Sequence, residues 1–353
     1  MSMYHAAEVS RYYYSRLTGD RKIVYKAILS GIRNFTDEIE VPIVPINEIP
    51  AIFRHVLLDN PLIFYVSHLI QVGGLHGKGN IVKPEYKYTC RQVEEKTDAI
   101  AKYLQVFDAV KAKSDIDKEI HVHDYCLNNF SYDDTLDDCS FTVIGPVFNG
   151  AAVCEGIAKF VKLAFDYLGV KSLVVCGEAK DPSQGSKMES HAWNIVKMDG
   201  KAYHLDVTFD MSLTNRINRY DYFNLPDEEI KKDHVITGDV PVCSTTGKDY
   251  FSVNSLLAHS PSELTKHIRT SLKCGRKDIL VKLMNVRDAE NIVGKVTEII
   301  QKQYKSIYKN KGGVAFEIRY NPGQMVFEIK FNDGGSLARF INWIFSATKN
   351  YCL

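Results

Sequence analysis

Apolar positions along this chain recur with two periods, and the switches between them outline its elements. From Asp20 onward Val24, Tyr25, Ile28, Leu29 and Ile32 form one helical stripe, within a segment over 5–60 that is expected to be helical. Residues 41–50 carry three prolines and read as a connector, and 51–58 as a helix ended by Asp59-Asn60-Pro61. Residues 62–72 and 81–89 look like strands on either side of a glycine-rich loop. A long helix is expected over 91–111, and Ser114-Asp115 with Glu119 starts another that runs to about Asn129.

In the middle of the chain, N-G-A-A-V-C-E-G at 149–156 leads into Ile157, Ala158, Val161, Ala164, Phe165 and Leu168 at helical spacing, with Gly169 as a stop. A strand follows over 171–176, then a polar loop over 181–190. Asp199-Gly200 joins two alternating runs and predicts a hairpin in which Ile195 faces His204 and Trp193 faces Asp206. After about residue 250 come a helix over 261–273, a strand over 279–284, a long helix over 289–308 and a hairpin of 314–320 with 325–331. Ser336 caps a last helix with Leu337, Phe340, Ile341, Ile344 and Phe345 on its stripe.

Composition narrows the class. The 353 residues are 45% apolar and 25% charged, which suits a globular protein of two or three domains. A net charge of +1 leaves no basic footprint for nucleic acid. No apolar run reaches the length of a membrane span, and the first residues lack the apolar stretch of a secretion signal, so no membrane partner is expected. Eight cysteines without a CxxC pair then read as reduced thiols in a cytoplasmic protein.

Three binding motifs are tested and set aside. The loop G-G-L-H-G-K-G-N at 73–80 lacks the spacing and the Ser or Thr of a phosphate-binding loop, so no cofactor is expected there. His121, His123 and Cys126 would share a helix but not a face, which argues against zinc. The acidic run Asp133, Asp134, Asp137 and Asp138 lacks the glycine and closing glutamate of a calcium loop, so no metal is expected.

Candidate chemistry centres on Cys154. At a helix start, unpaired N–H groups and the positive dipole end favour a thiolate, although a buried, inert cysteine is the ordinary alternative. In the hairpin register above, His191 and Asp206 share a sheet face as diagonal neighbours roughly 7–8 Å apart by backbone measure. Together the three side chains supply a nucleophile, a base and an orienter. Trp193 is placed to shield the His191–Asp206 pair, and His204 is a rival base. The backbone N–H of Cys154 is the expected oxyanion donor, with Tyr132 and Asn149 as side-chain candidates.

These residues resemble the transglutaminase-like superfamily of papain-like cysteine enzymes, and bacterial members in particular. The resemblance lies in V-C-E-G around Cys154, H-A-W-N around His191 and D-G-K-x-Y-H-x-D-V-T-x-D ending at Asp210. It extends to H-D-Y at 123–125, N-F-S-Y-D at 129–133 and Y-F-N-L-P-D-E-E-I before His234, so it covers about residues 115–235. Ile157 and Ala202 stand where aromatics are expected, and Phe209 where Trp is common. The resemblance implies that Cys154 is the nucleophile, His191 the general base and acid, and Asp206 its orienter. It implies an α+β, papain-like core with the cysteine helix packed on an antiparallel sheet. The expected division is a mainly helical segment over 1–114, the core over 115–249 and a small α+β domain over 250–353. The expected activity is acyl transfer through a Cys154 thioester, with hydrolysis of a peptide or glutamine-type amide favoured and a protein or peptide as substrate. Protein crosslinking and a non-enzymatic interaction module are the alternatives; oligomeric state is left open.

Overall fold

The structure, a computed structural model, describes residues 10–75, 77, 79–180, 187–215, 217–285, 291–308 and 315–331. The chain opens with α1 (Tyr12–Arg16) and α2 (Gly19–Arg33), whose buried side chains are those of the expected stripe. Next, β1 (Ile39–Val41) departs from the helical expectation: Ile39 and Val41 are buried and Glu40 exposed, a two-residue period. After α3 (Ile49–Asp59), β2 (Val66–Leu75) and β3 (Gly79–Tyr86) form an antiparallel hairpin whose far edge is β1. Then α4 (Cys90–Tyr103) starts in a capping box of Thr89 and Gln92. The expected long helix changes to a 3₁₀ turn over Leu104–Val110, where Leu104 and Phe107, three apart, are both buried.

The next stretch builds the centre. Ser114 caps α5 (Asp115–Asn129), and the short strands β4 (Ser131–Tyr132) and β5 (Ala151–Ala152) pair in parallel. They lead into α6 (Cys154–Leu168), in which every residue except Tyr167 is buried. Gly156 permits this: a Cβ there would collide with the Ser140 carbonyl oxygen. At φ +77° Gly169 closes the helix in the left-handed conformation. The chain then turns back into β6 (Lys171–Lys180), followed by β7 (Met188–Met198), β8 (Lys201–Leu205), α7 (Val207–Leu213), α8 (Asp227–Ile230) and β9 (His234–Ile236). These strands form one antiparallel sheet in the order β8-β7-β6-β9. The hairpin register is the expected one, with Ile195 opposite His204. Val24, Phe53 and Ile100 belong to the same apolar cluster as Val122, Ile157 and Phe160, so the opening segment and α6 share a core.

The last unit contains α9 (Tyr250–Val253), β10 (Leu257–Ala258), α10 (Pro261–Lys273), β11 (Asp278–Leu283), α11 (Ile292–Ile307), β12 (Phe316–Asn321) and β13 (Val326–Phe331). Its sheet runs β10-β11-β13-β12 over an apolar cluster of its own. Its contacts with the centre include several polar ones. Arg219 meets Glu328 at 3.3 Å, Gln324 Nε2 donates to the Glu229 carbonyl at 3.2 Å, and Lys282 pairs with Glu229. The expected helix from Ser336, Cys352 and most of the 181–190 loop lie outside the described residues. Among the described residues no helix is long and apolar enough to cross a membrane.

Candidate active site

Strand directions bring the candidate nucleophile and base to one end of the sheet. Because α6 turns back through Gly169, β6 runs opposite to it, and β7, antiparallel to β6, runs alongside α6 in the same sense. A hydrogen bond from Asn194 Nδ2 to the Ala158 carbonyl, 2.9 Å, ties the two together. One helical turn before Ala158 is Cys154; three residues before Asn194 is His191. Cys154 shares an apolar cluster with Ala158, Val174 and Ala192, the residue after His191. It is the first residue of α6, and no side chain caps that helix, so no capping oxygen takes the first-turn N–H groups.

His191 and Asp206 meet as their register predicts, with Nε2 2.6 Å from Oδ2, both side chains buried. Asp206 also caps α7, its Oδ1 accepting the Phe209 N–H at 3.0 Å. Burial alone would raise the Asp206 carboxyl, but the imidazoles of His191 and His234 hold it well below the usual carboxylate range. An ionised carboxylate only accepts, so His191 carries its proton on Nε2 and Nδ1 is its basic nitrogen. Trp193 is buried with its ring 5.9 Å from that of His191, nearly parallel to it.

His204 is committed elsewhere. Its Nδ1 accepts the Trp193 indole N–H at 3.0 Å, and its Nε2 lies 2.8 Å from Asp227 Oδ1. Of the side-chain oxyanion candidates, Tyr132 packs against the Cys154 cluster, whereas Asn149 is exposed and its amide donates to Cys139 Sγ at 3.5 Å. His123 reaches across to Asp210 at 3.0 Å, so the H-D-Y block and the end of the D-V-T-x-D block are one structural pair. Cys126, one turn further along α5, is buried in the apolar core, and His121 stands edge-on to Phe107.

Among the described residues, two groups offer three metal-type donors within 4.8 Å of one another: His191, Asp206 and His234, and His204, Asp227 and Cys243. Their pairs at 2.6 and 2.8 Å are hydrogen-bond distances. Ligands straddling an ion at 2.0–2.1 Å in tetrahedral geometry stand about 3.3 Å apart, so hydrogen bonding is the better fit.

Two partners of the site were not legible in sequence. Glu155, next to Cys154, is gripped by Arg54 of α3 at 2.5 and 2.8 Å and by Lys159 at 2.6 Å. Burial would raise Glu155, but Lys159 and Arg54 hold it down at about 2, which keeps two cations beside one carboxylate near the thiol. A cavity of about 480 Å³ opens there, lined by Arg54, Phe64, Tyr88, Phe141, Glu155 and Lys159 among others. The second is His234, a further partner of Asp206. Asp233-His234 opens a strand of three residues, too short for any periodicity to mark it.

Residues 91–207 match the family model of the transglutaminase-like superfamily. The chain carries a transglutaminase-like domain. That match takes in Cys154, His191 and Asp206, while Arg54 and His234 lie outside it. No curated protein matches the chain. Among solved structures, one described as a TGase shares 19% identity over 40% of this chain and 44% of its own, with a TM-score of 0.29. The chain thus spans under half of that protein. A candidate cysteine protease from Cytophaga hutchinsonii shares 14% identity over 52% of this chain and 68% of its own, with a TM-score of 0.26. The transglutaminase-like domain is identified by the family match over residues 91–207.

Proposed function

We propose that this protein is a cysteine-dependent acyl-transfer enzyme that hydrolyses peptide or glutamine-type amides through a thioester on Cys154. The observation that carries the reading is the 2.6 Å bond from His191 Nε2 to Asp206 Oδ2 at the end of the sheet where α6 begins. It sets the tautomer in which Nδ1 can take a proton. The Cys154 thiolate, its proton already held by His191, attacks the amide carbonyl carbon. The oxygen, now negative, faces the first-turn N–H groups of α6. His191 then gives the proton to the departing amine, and the C–N bond breaks to leave the thioester. Water, deprotonated by His191, adds to the thioester and releases the acid and the thiol. The cavity beside Glu155 is the candidate site for the rest of the substrate.

Limited iodoacetamide labelling at about pH 6 with peptide mapping tests the nucleophile, because an ordinary thiol is almost fully protonated there. Cys154 is expected to label first; preference for any other cysteine removes it from that role. A glutamine peptide offered with a fluorescent primary amine tests the fate of the thioester. Released ammonia is expected to exceed incorporated amine, and the reverse makes the enzyme a crosslinking transglutaminase.

A further inference from the structure

Asp206 has two imidazole partners, and the chemistry above uses one of them. On Oδ2, the oxygen that receives His191, His234 Nε2 arrives at 3.0 Å. The other nitrogen of His234, Nδ1, lies 2.6 Å from Asp233 Oδ1, and Asp233 Oδ2 accepts the Tyr222 hydroxyl at 2.5 Å. Two carboxylates at the two ring nitrogens call for a proton on each, because an ionised carboxylate has none to give. Burial works against a charged His234, but Asp206 and Asp233 outweigh it and push its proton affinity up.

We propose that His234 is a positioning residue of the active site, a lasting imidazolium that clamps the Asp206 carboxylate and shares its negative charge with His191. This rests on the reading of Cys154 and His191 as nucleophile and base. The groups around His234 are consistent with that part. From β7 come His191 and Trp193, with ring centres 5.5 and 5.1 Å away, and from β8 comes the neutral His204. Asp206 precedes α7, Phe209 lies on α7, Tyr222 and Asp233 follow, and β6 sets the uncharged Ala179 opposite His234. Only Asp206 and Asp233 are negative in this set, and each gives an oxygen to a ring nitrogen of His234.

The charge has a consequence for His191. A fixed cation 5.5 Å away disfavours a second positive charge, so His191 in its protonated form gives up its proton more readily than it would with Asp206 to itself. Replacing His234 by a neutral group leaves all of the Asp206 charge to His191 and deepens its hold on the proton. The inflection at which His191 deprotonates then moves up.

The test needs no substrate. The rate of iodoacetamide alkylation at Cys154 is followed against pH for the wild-type chain and for His234→Gln, His234→Ala and His191→Asn. In His234→Gln, whose amide can still donate to Asp206, the upper inflection is expected to rise by roughly one to two pH units. In His191→Asn the low-pH reactivity of Cys154 is expected to vanish. If Cys154 is unreactive in the wild type, or indifferent to His191→Asn, the nucleophile and base are misassigned. If Cys154 depends on His191 but the His234→Gln profile overlays the wild type, the role of His234 is overturned alone. Nitrogen-15 spectra of the wild-type imidazoles give a second reading should His234→Ala fail to fold. Two protonated nitrogens on His234 at pH 7.5 are expected, and a neutral tautomer there refutes the clamp.

Discussion

The indole N–H of Trp193 donates to Nδ1 of His204 at 3.0 Å. Because an indole nitrogen can only donate, that bond makes Nδ1 of His204 an acceptor and leaves its Nε2–H to Asp227. Both nitrogens are used, and the thiol grouped with them, within 4.8 Å, is that of Cys243. His204→Asn is therefore expected to keep turnover within about tenfold of wild type. Asp206→Asn, by contrast, loses the tautomer of His191 and is expected to cost on the order of 10³–10⁴-fold. Equal losses in the two variants, both folded by circular dichroism, would transfer the role of base away from His191.

Arg54 and Lys159 neutralise Glu155 one residue from Cys154. The folded Glu155 titrates at about 2 against 4.5 for the free side chain. A depressed acid stabilises the fold above about pH 4.5, and that contribution is lost as the pH falls toward 2. Arg54→Met is expected to destabilise by about 1–3 kcal/mol, because Lys159 remains and the Arg54 side chain is 36% exposed. Its acid-unfolding midpoint should rise, and Cys154 should alkylate more slowly at pH 6 beside a less compensated carboxylate. An unchanged alkylation rate would reduce Arg54 to a packing role.

Glu119 of α5 behaves in the opposite sense. Burial pushes it up to about 8, against the Asn224 amide that donates to it at 2.7 Å. An acid raised in the folded state stabilises below about pH 4.5 and loses that contribution as the pH climbs through 8. Glu119→Gln removes the titration and keeps the acceptor. Its melting temperature relative to wild type should climb between pH 5 and pH 9, by the equivalent of a few kcal/mol. A gap that stays constant over that range would show that Glu119 does not take up its proton on folding.

Two glycines on α6 separate close approach from backbone freedom. Gly156→Ala drives a Cβ into the Ser140 carbonyl and should cost about 1–3 kcal/mol while displacing the helix start. Gly169→Ala has open space around it and pays only for its φ of +77°, about 1–2 kcal/mol. Cys154 alkylation at pH 6 is expected to fall in the first variant and to hold in the second. Similar alkylation rates in both would mean that the position of the helix start does not govern the thiol.

Periodic and local features were legible in the sequence. The α6 stripe, its Gly169 stop and the Asp199-Gly200 hairpin all rest on short-range rules, and the hairpin register alone put His191 and Asp206 within reach. What was hidden depends on contacts between distant segments. β1 is three residues long and exists because β3 offers it an edge. Arg54 meets Glu155 across 101 positions, and His234 meets Asp206 only once β9 has paired with β6. The match over 91–207 spans the three side chains that the sequence motifs single out, but it contains neither Arg54 nor His234.

That placement of the cations sets a limit on dissection. A fragment cut to the matched boundaries would retain the thiol, the imidazole and the orienting carboxylate yet lack Arg54 and His234. Its Glu155, next to Cys154, would keep Lys159 as its remaining counter-ion of the two, and Asp206 would lose the donor that β9 carries. Moving this chemistry onto another scaffold therefore means carrying α3 and β9 along with the motif.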